Sequence, residues 1–100
     1  MFYLYILFSE KAQRHYIGHA ENPEERLAQH NSNPDEKYTG KFFDWKMAAL
    51  FEAAPTKEET VTIEKFIKKQ KGKKLLLKLI DPQFVPTGSL AILKRVAKEN

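Results

Sequence analysis

Residues 1–8, Met-Phe-Tyr-Leu-Tyr-Ile-Leu-Phe, are the longest apolar run in the chain and constrain everything that follows it. The run is far short of the ~20 residues that a membrane-spanning helix needs. Its aromatic and β-branched content suits a buried central strand rather than a helix. In such a strand Phe2, Leu4, Ile6 and Phe8 share one face, while Tyr3, Tyr5 and Leu7 take the other. Any hydroxyl chemistry therefore belongs to the second face. No basic stretch precedes the run as a secretory signal requires, so a cytoplasmic protein without membrane contact is expected.

A central strand needs partners, and the next apolar segment, His15-Tyr16-Ile17-Gly18-His19, is close enough to fold back as a hairpin. A turn centred on Glu10-Lys11 sets Tyr5 directly opposite Tyr16. Asn22-Pro23-Glu24-Glu25 then reads as a helix start, with Asn as cap, Pro in the first turn and Glu25 completing a capping box. That helix runs to about Asn31, and its i,i+4 spacing puts Arg26 and His30 on one face. Residues 31–40 read as a polar loop. A third strand follows over residues 45–52, with Met47, Ala49 and Phe51 alternating.

Thr56-Lys57-Glu58-Glu59 opens a second helix, whose expected buried stripe is Ile63, Phe66 and Ile67, with Glu64 beside it and Gly72 ending it. A short helix over residues 73–80 comes next, then a loop, then a last helix capped by Ser89 and burying Leu90, Leu93 and Val96. Strands come first and helices follow, which gives an α+β fold: a three-stranded antiparallel sheet flanked by helices, with an extra C-terminal helix. One domain accommodates all 100 residues, and the absence of Cys excludes disulfide staples, thiolate zinc sites and a cysteine nucleophile.

Seventeen Lys+Arg against thirteen Asp+Glu give a net charge of +4. Its distribution says more than its sum. Residues 65–78 hold seven lysines and no acid. Lys65, Lys68, Lys69, Lys73 and Lys74 are therefore candidate contacts to nucleic-acid phosphates, the plain alternative being a solvated helix face. His15 and His19 have metal-like spacing, but a strand carries them too far apart for a zinc site.

Tyr3-Leu4-Tyr5, Tyr16-Ile17-Gly18, Arg26-Leu27-Ala28-Gln29-His30-Asn31 and a later helix bearing Glu64 together resemble the GIY-YIG nuclease superfamily over residues 2 to about 80. The nearest likeness is to its small stand-alone members, related to the N-terminal nuclease domain of the excision-repair incision subunit. The resemblance implies hydrolysis of nucleic-acid phosphodiesters, of DNA in repair or processing, with one divalent cation, Mg2+ or Mn2+. It assigns Tyr5 and Tyr16 to the tyrosine pair, Arg26 to the phosphate, Glu64 to the metal, and His30 to a position often His or Tyr. Gly18 matches the motif glycine, which lets backbone and substrate approach without a Cβ. His19, next to it, is a candidate for phosphate contact or proton transfer. Two departures stand out: Leu4 replaces the first motif's glycine, and no Asn follows the metal carboxylate in residues 71–80.

The chemistry asks for these residue types on its own account. Water attacking phosphorus must lose a proton, and a phenol with a reference pKa near 10 needs cationic neighbours or a metal to accept it at neutral pH. Arg offers a planar fork for the phosphate oxygens, and a carboxylate is the hard ligand that Mg2+ prefers. On this reading residues 1–80 are a nuclease-like domain, and residues 81–100 are an extension packed on the same single domain. The competing expectations are a nucleic-acid-binding module of the same fold that cleaves nothing, and an interaction domain using the final helix.

Overall fold

The computed structural model describes residues 1–32, 41–70 and 72–96; the expected polar loop lies largely outside them, as does Lys71. β1 (Phe2–Ser9) is central, because both of its faces are apolar and both must be covered. β2 (Arg14–Ala20) and β3 (Lys46–Ala54) flank it antiparallel, and the sheet order is β2-β1-β3-β4. α1 (Pro23–His30) packs on one face, while α2 (Lys57–Lys69) and α3 (Lys74–Ile80) cover the other.

The α2 face is aliphatic apart from Phe51 and Phe84. Leu4, Ile6, Ala49, Phe51 and Ala53 of the sheet meet Ile63, Ile67 and Leu79 of the helices, with Leu90 and Leu93 closing the layer. On the α1 face Tyr5, Leu7 and Trp45 are buried against Tyr16 and Leu27. Local chemistry starts the two longer helices as expected: Asn22 Oδ1 accepts from Glu25 N at 3.1 Å, and Thr56 Oγ1 accepts from Glu59 N at 3.3 Å.

Five expectations need correction. The hairpin turn is longer than the one assumed, so Tyr5 pairs with Gly18 and Tyr16 with Leu7. A shift of two residues preserves the face, and both tyrosines still point to the α1 side. A register irregularity between Ile6 and Leu7 then carries Met47 to that side as well, away from Ala49 and Phe51. On α2, Phe66 is exposed and Thr60 takes its place in the buried stripe with Ile63 and Ile67.

The largest correction concerns the end of the chain. Instead of a helix there is a short 3-10 turn, Gly88–Leu90, and then β4 (Lys94–Arg95), a fourth strand paired with Phe51 and Glu52 of β3. The helical spacing of Leu90, Leu93 and Val96 yields to the open edge of β3, whose unpaired backbone groups β4 satisfies; Val96 N also donates to Leu50 O at 2.9 Å. Arg95 clamps the strand. Its guanidinium donates to Asp81 O at 2.8 Å and lies 4.6 Å from the centroid of the Phe51 ring. Gly72 does not end α2, which stops at Lys69; it adopts φ +75° in the turn to α3, a conformation that glycine takes without penalty.

Candidate active site

β1 delivers Tyr5 to the α1 face, and β2 delivers Tyr16 and Gly18 beside it. Their rings lie diagonally, with centroids 6.4 Å apart. Gly18 is directly opposite Tyr5, and a Cβ built on it would sit 2.5 Å from the Tyr5 hydroxyl and 3.0 Å from the Tyr16 ring. The glycine therefore makes room for the protein's own phenol, the nearest group a Cβ would strike. Leu4, where the first motif departs from the family pattern, points into the aliphatic layer and is fully buried there. Its side chain never reaches the tyrosine face, so the departure leaves this arrangement untouched.

α1 supplies the next layer. Its last residue, His30, is completely buried, and its Nε2 lies 3.0 Å from the Tyr5 hydroxyl. The His30 ring also packs 4.8 Å from that of Tyr16, centroid to centroid. Arg26, one turn earlier, hydrogen-bonds the Tyr5 hydroxyl and also donates to Gln29 Oε1. The direction of the Tyr5–His30 hydrogen bond follows the imidazole tautomer: the phenol donates to an unprotonated Nε2 and accepts from a protonated one. Burial is the main reason that the Tyr5 pKa is pushed up to about 12, with the Arg26 hydrogen bond opposing it. Tyr5 is a neutral phenol at physiological pH.

Glu64 comes from the other side of the sheet. β2 is an edge strand, and α2 runs along it, so a side chain on α2 can reach round the edge toward Tyr16. Glu64 Oε1 lies 2.9 Å from His19 Nδ1, and Glu64 Oε2 accepts from Lys68 Nζ at 3.2 Å. Lys68 Nζ in turn stands 5.9 Å from the centroid of the Tyr16 ring. The structure thus joins Tyr5, Tyr16, Arg26 and His30 directly, and links Glu64 and His19 to them through Lys68. Lys65, Lys69, Lys73 and Lys74 are exposed, on α2 and at the start of α3.

Among the described residues there is no cluster of three or more His, Asp or Glu side chains that could cage a metal. A lone carboxylate at the edge of a cleft still fits Mg2+, which keeps most of its waters and binds through one or two carboxylates plus substrate phosphates.

Two supporting contacts escape a sequence reading. Asn31 grips the backbone of Trp45 from both sides, Nδ2 donating to Trp45 O at 2.9 Å and Oδ1 accepting from Trp45 N at 2.8 Å. This ties the end of α1, and His30 with it, to the start of β3. Ser9 Oγ donates to Asp44 Oδ1 at 2.6 Å and Lys11 N to Oδ2 at 3.0 Å, which holds the hairpin turn and lowers the Asp44 pKa, the Ser9 hydrogen bond being the main cause. Both pairs span long sequence separations and carry no local signal. The Arg26–Gln29 bond does carry one, an i,i+3 spacing on a helix.

No helix among the described residues is long and apolar enough to cross a membrane. No curated protein and no solved structure matches the chain. The family profile described as the GIY-YIG catalytic domain does match, over residues 1–76. It spans every element from β1 to α2, including the tyrosine pair, Arg26 and Glu64, and the chain belongs to the GIY-YIG family of nuclease-type domains.

Proposed function

We propose that this protein is a metal-dependent endonuclease that hydrolyses DNA phosphodiesters, with residues 1–80 as the nuclease unit and the rest of the chain packed onto it. The family assignment supports nuclease-type action on nucleic acid, and the domains of this family generally use a divalent cation. The observation that carries the reading for this chain is the meeting of Tyr16, Arg26 and, through Lys68, Glu64 around one sheet edge. Kinship with the excision-repair incision subunit, and with it a place in DNA repair, rests on the motif resemblance.

In this mechanism Tyr16 accepts the proton of the attacking water. It is the less buried of the two tyrosines, and Arg26 and Lys68 supply the positive surroundings that favour a phenolate. Tyr5 and His30 act from beneath: their hydrogen bond holds the Tyr16 ring and the Arg26 fork in place. Arg26 takes the phosphate oxygens as negative charge grows on them. Glu64 holds the Mg2+ or Mn2+, which when bound neutralises charge on the phosphate and the leaving oxygen. Lys68 releases Glu64 for that role and turns to phosphate, and His19 keeps the carboxylate oriented.

The alternative is a binding module that keeps the fold and does not cleave. The pairing of both Glu64 oxygens with cationic or imidazole partners favours it, because that arrangement is satisfied without a metal. Purified protein incubated with labelled single-stranded, duplex and branched DNA, with Mg2+ or Mn2+ against chelator, decides between them. Metal-dependent cleavage that is lost in Glu64→Gln supports the enzyme. Retention of DNA with no cleavage of any substrate assigns the protein to the binding class.

A further inference from the structure

A groove of about 500 Å3 lies next to Tyr16, between β2 and the junction of α2 with α3. Its size falls within the ~300–1,000 Å3 of small-molecule sites. Ile17, Ile67, Leu75 and Leu76 make its walls apolar, and Tyr16 and Trp45 add aromatic surface. Arg14 and Lys68 also line it, so an apolar hollow is rimmed by cations. A bare phosphate gains nothing from such walls. A nucleobase does, provided that its own backbone can lie along the cations.

One polar group beside the groove is left without a partner. His15 lines the groove, its ring packs 4.8 Å from that of Phe8, and its Nδ1 is buried with no hydrogen-bond partner among the described residues. A buried polar atom without a partner costs about 1–3 kcal/mol. Burial, with a smaller contribution from the positive charge of Lys73, also lowers the His15 pKa, so the imidazole is neutral and not a phosphate ligand.

We propose that this groove is a subsite for one unstacked nucleobase of the bound strand, seated between Ile17 and Leu76 beside His15 while the adjoining phosphate reaches Tyr16 and Arg26. The proposal rests on the nucleic-acid reading above and deepens it. A base inside a duplex is stacked and paired, and extracting it costs a few kcal/mol. The protein therefore selects nucleic acid with an unpaired nucleotide next to the phosphate at Tyr16.

The wild-type protein tests this, in chelator so that no cleavage intervenes. Three probes of equal length are titrated: single-stranded DNA, the same backbone with every base removed, and a duplex, while the side-chain methyl resonances of Ile17, Ile67, Leu75 and Leu76 are followed. The single strand is expected to shift those methyls and to bind about tenfold more tightly than the abasic strand, the scale of one lost base stack. The duplex is expected to leave the methyls unmoved. Equal affinity for the normal and abasic strands, or unshifted methyls with bound single strand, overturns the subsite while leaving a nuclease intact. Duplex DNA that shifts the methyls as strongly as single strand removes the selection for unpaired nucleotides. Failure of all three probes to bind overturns the nucleic-acid reading itself.

Discussion

The two faces of β1 do different work with nearly the same apolarity. Leu4 and Ile6 on the α2 side meet mainly other hydrocarbon side chains, whereas Tyr5 on the α1 side meets the side chain of His30, the hydrogen bond of Arg26 and the bare backbone of Gly18. Packing on the first face depends on volume, which neighbours can share by small adjustments. The second face depends on hydrogen bonds with fixed directions and on a gap the width of one Cβ. Tolerance to substitution should differ accordingly.

The largest contrast is in activity. Glu64→Ala should abolish metal-dependent cleavage while leaving DNA affinity within a few-fold, and Tyr16→Phe should lower the cleavage rate about 10²–10⁴-fold, as loss of a general base does. Single-turnover cleavage assays beside binding titrations would check both. A Tyr16→Phe variant that cleaves at the wild-type rate would break the division between a chemical and a packing face, and a Glu64→Ala variant that does so would remove Glu64 from the metal site.

Stability offers the next comparison. Leu79, fully buried in the aliphatic layer, should cost about 2–5 kcal/mol on replacement by Ala, whereas Ile6→Val should cost only about 0.5–1.5 kcal/mol. Gly18→Ala adds a single methyl on the other face, 2.5 Å from the Tyr5 hydroxyl, and should cost about 1–3 kcal/mol through overpacking. Urea unfolding would rank the three. Gly18→Ala should also impair cleavage, which neither aliphatic variant should do, because Tyr5 must move to make room.

Salt sharpens the same division at the surface. Replacing Lys65, Lys69, Lys73 and Lys74 by Ala should flatten the dependence of DNA affinity on salt, since each phosphate contact releases a condensed counterion. An unchanged slope would return these lysines to a solvated helix face. Lys68 is left out of this set because it also pairs with Glu64.

The effect of pH lies outside the physiological range. Tyr5 carries a raised pKa of about 12 against its ordinary 10.0, so the folded state keeps a proton that the unfolded chain gives up. Its contribution to stability is fully present below pH 10.0 and is lost as pH rises toward about 12. Tyr5→Phe should remove that alkaline loss, which denaturant titrations across the same range would detect. Asp44 works with the opposite sign. Its lowered pKa makes a contribution present above the ordinary 3.8 and lost as pH falls below it.

Much of this molecule was legible in residue order. The apolar run of β1 dictated a central strand, the caps at Asn22 and Thr56 started α1 and α2 where the structure has them, and helical spacing aligned Arg26 with His30. These are short-range effects, set by side chains within a turn or two of one another. The face of each tyrosine was also fixed locally, because a strand alternates with period two and the hairpin error was an even number of residues.

What only the tertiary structure decided depends on groups distant in sequence. The irregularity that turns Met47 to the tyrosine side comes from pairing between β1 and β3, and the grip of Asn31 on Trp45 joins residues 14 apart in sequence. The end of the chain is the clearest case. Its Leu90, Leu93 and Val96 have the spacing of a helix, yet an open sheet edge, the Phe51 ring and the carbonyls of Asp81 and Phe84 draw residues 94 and 95 into a strand. Two residues of strand carry almost no intrinsic preference, so backbone groups elsewhere that lacked partners outweighed it.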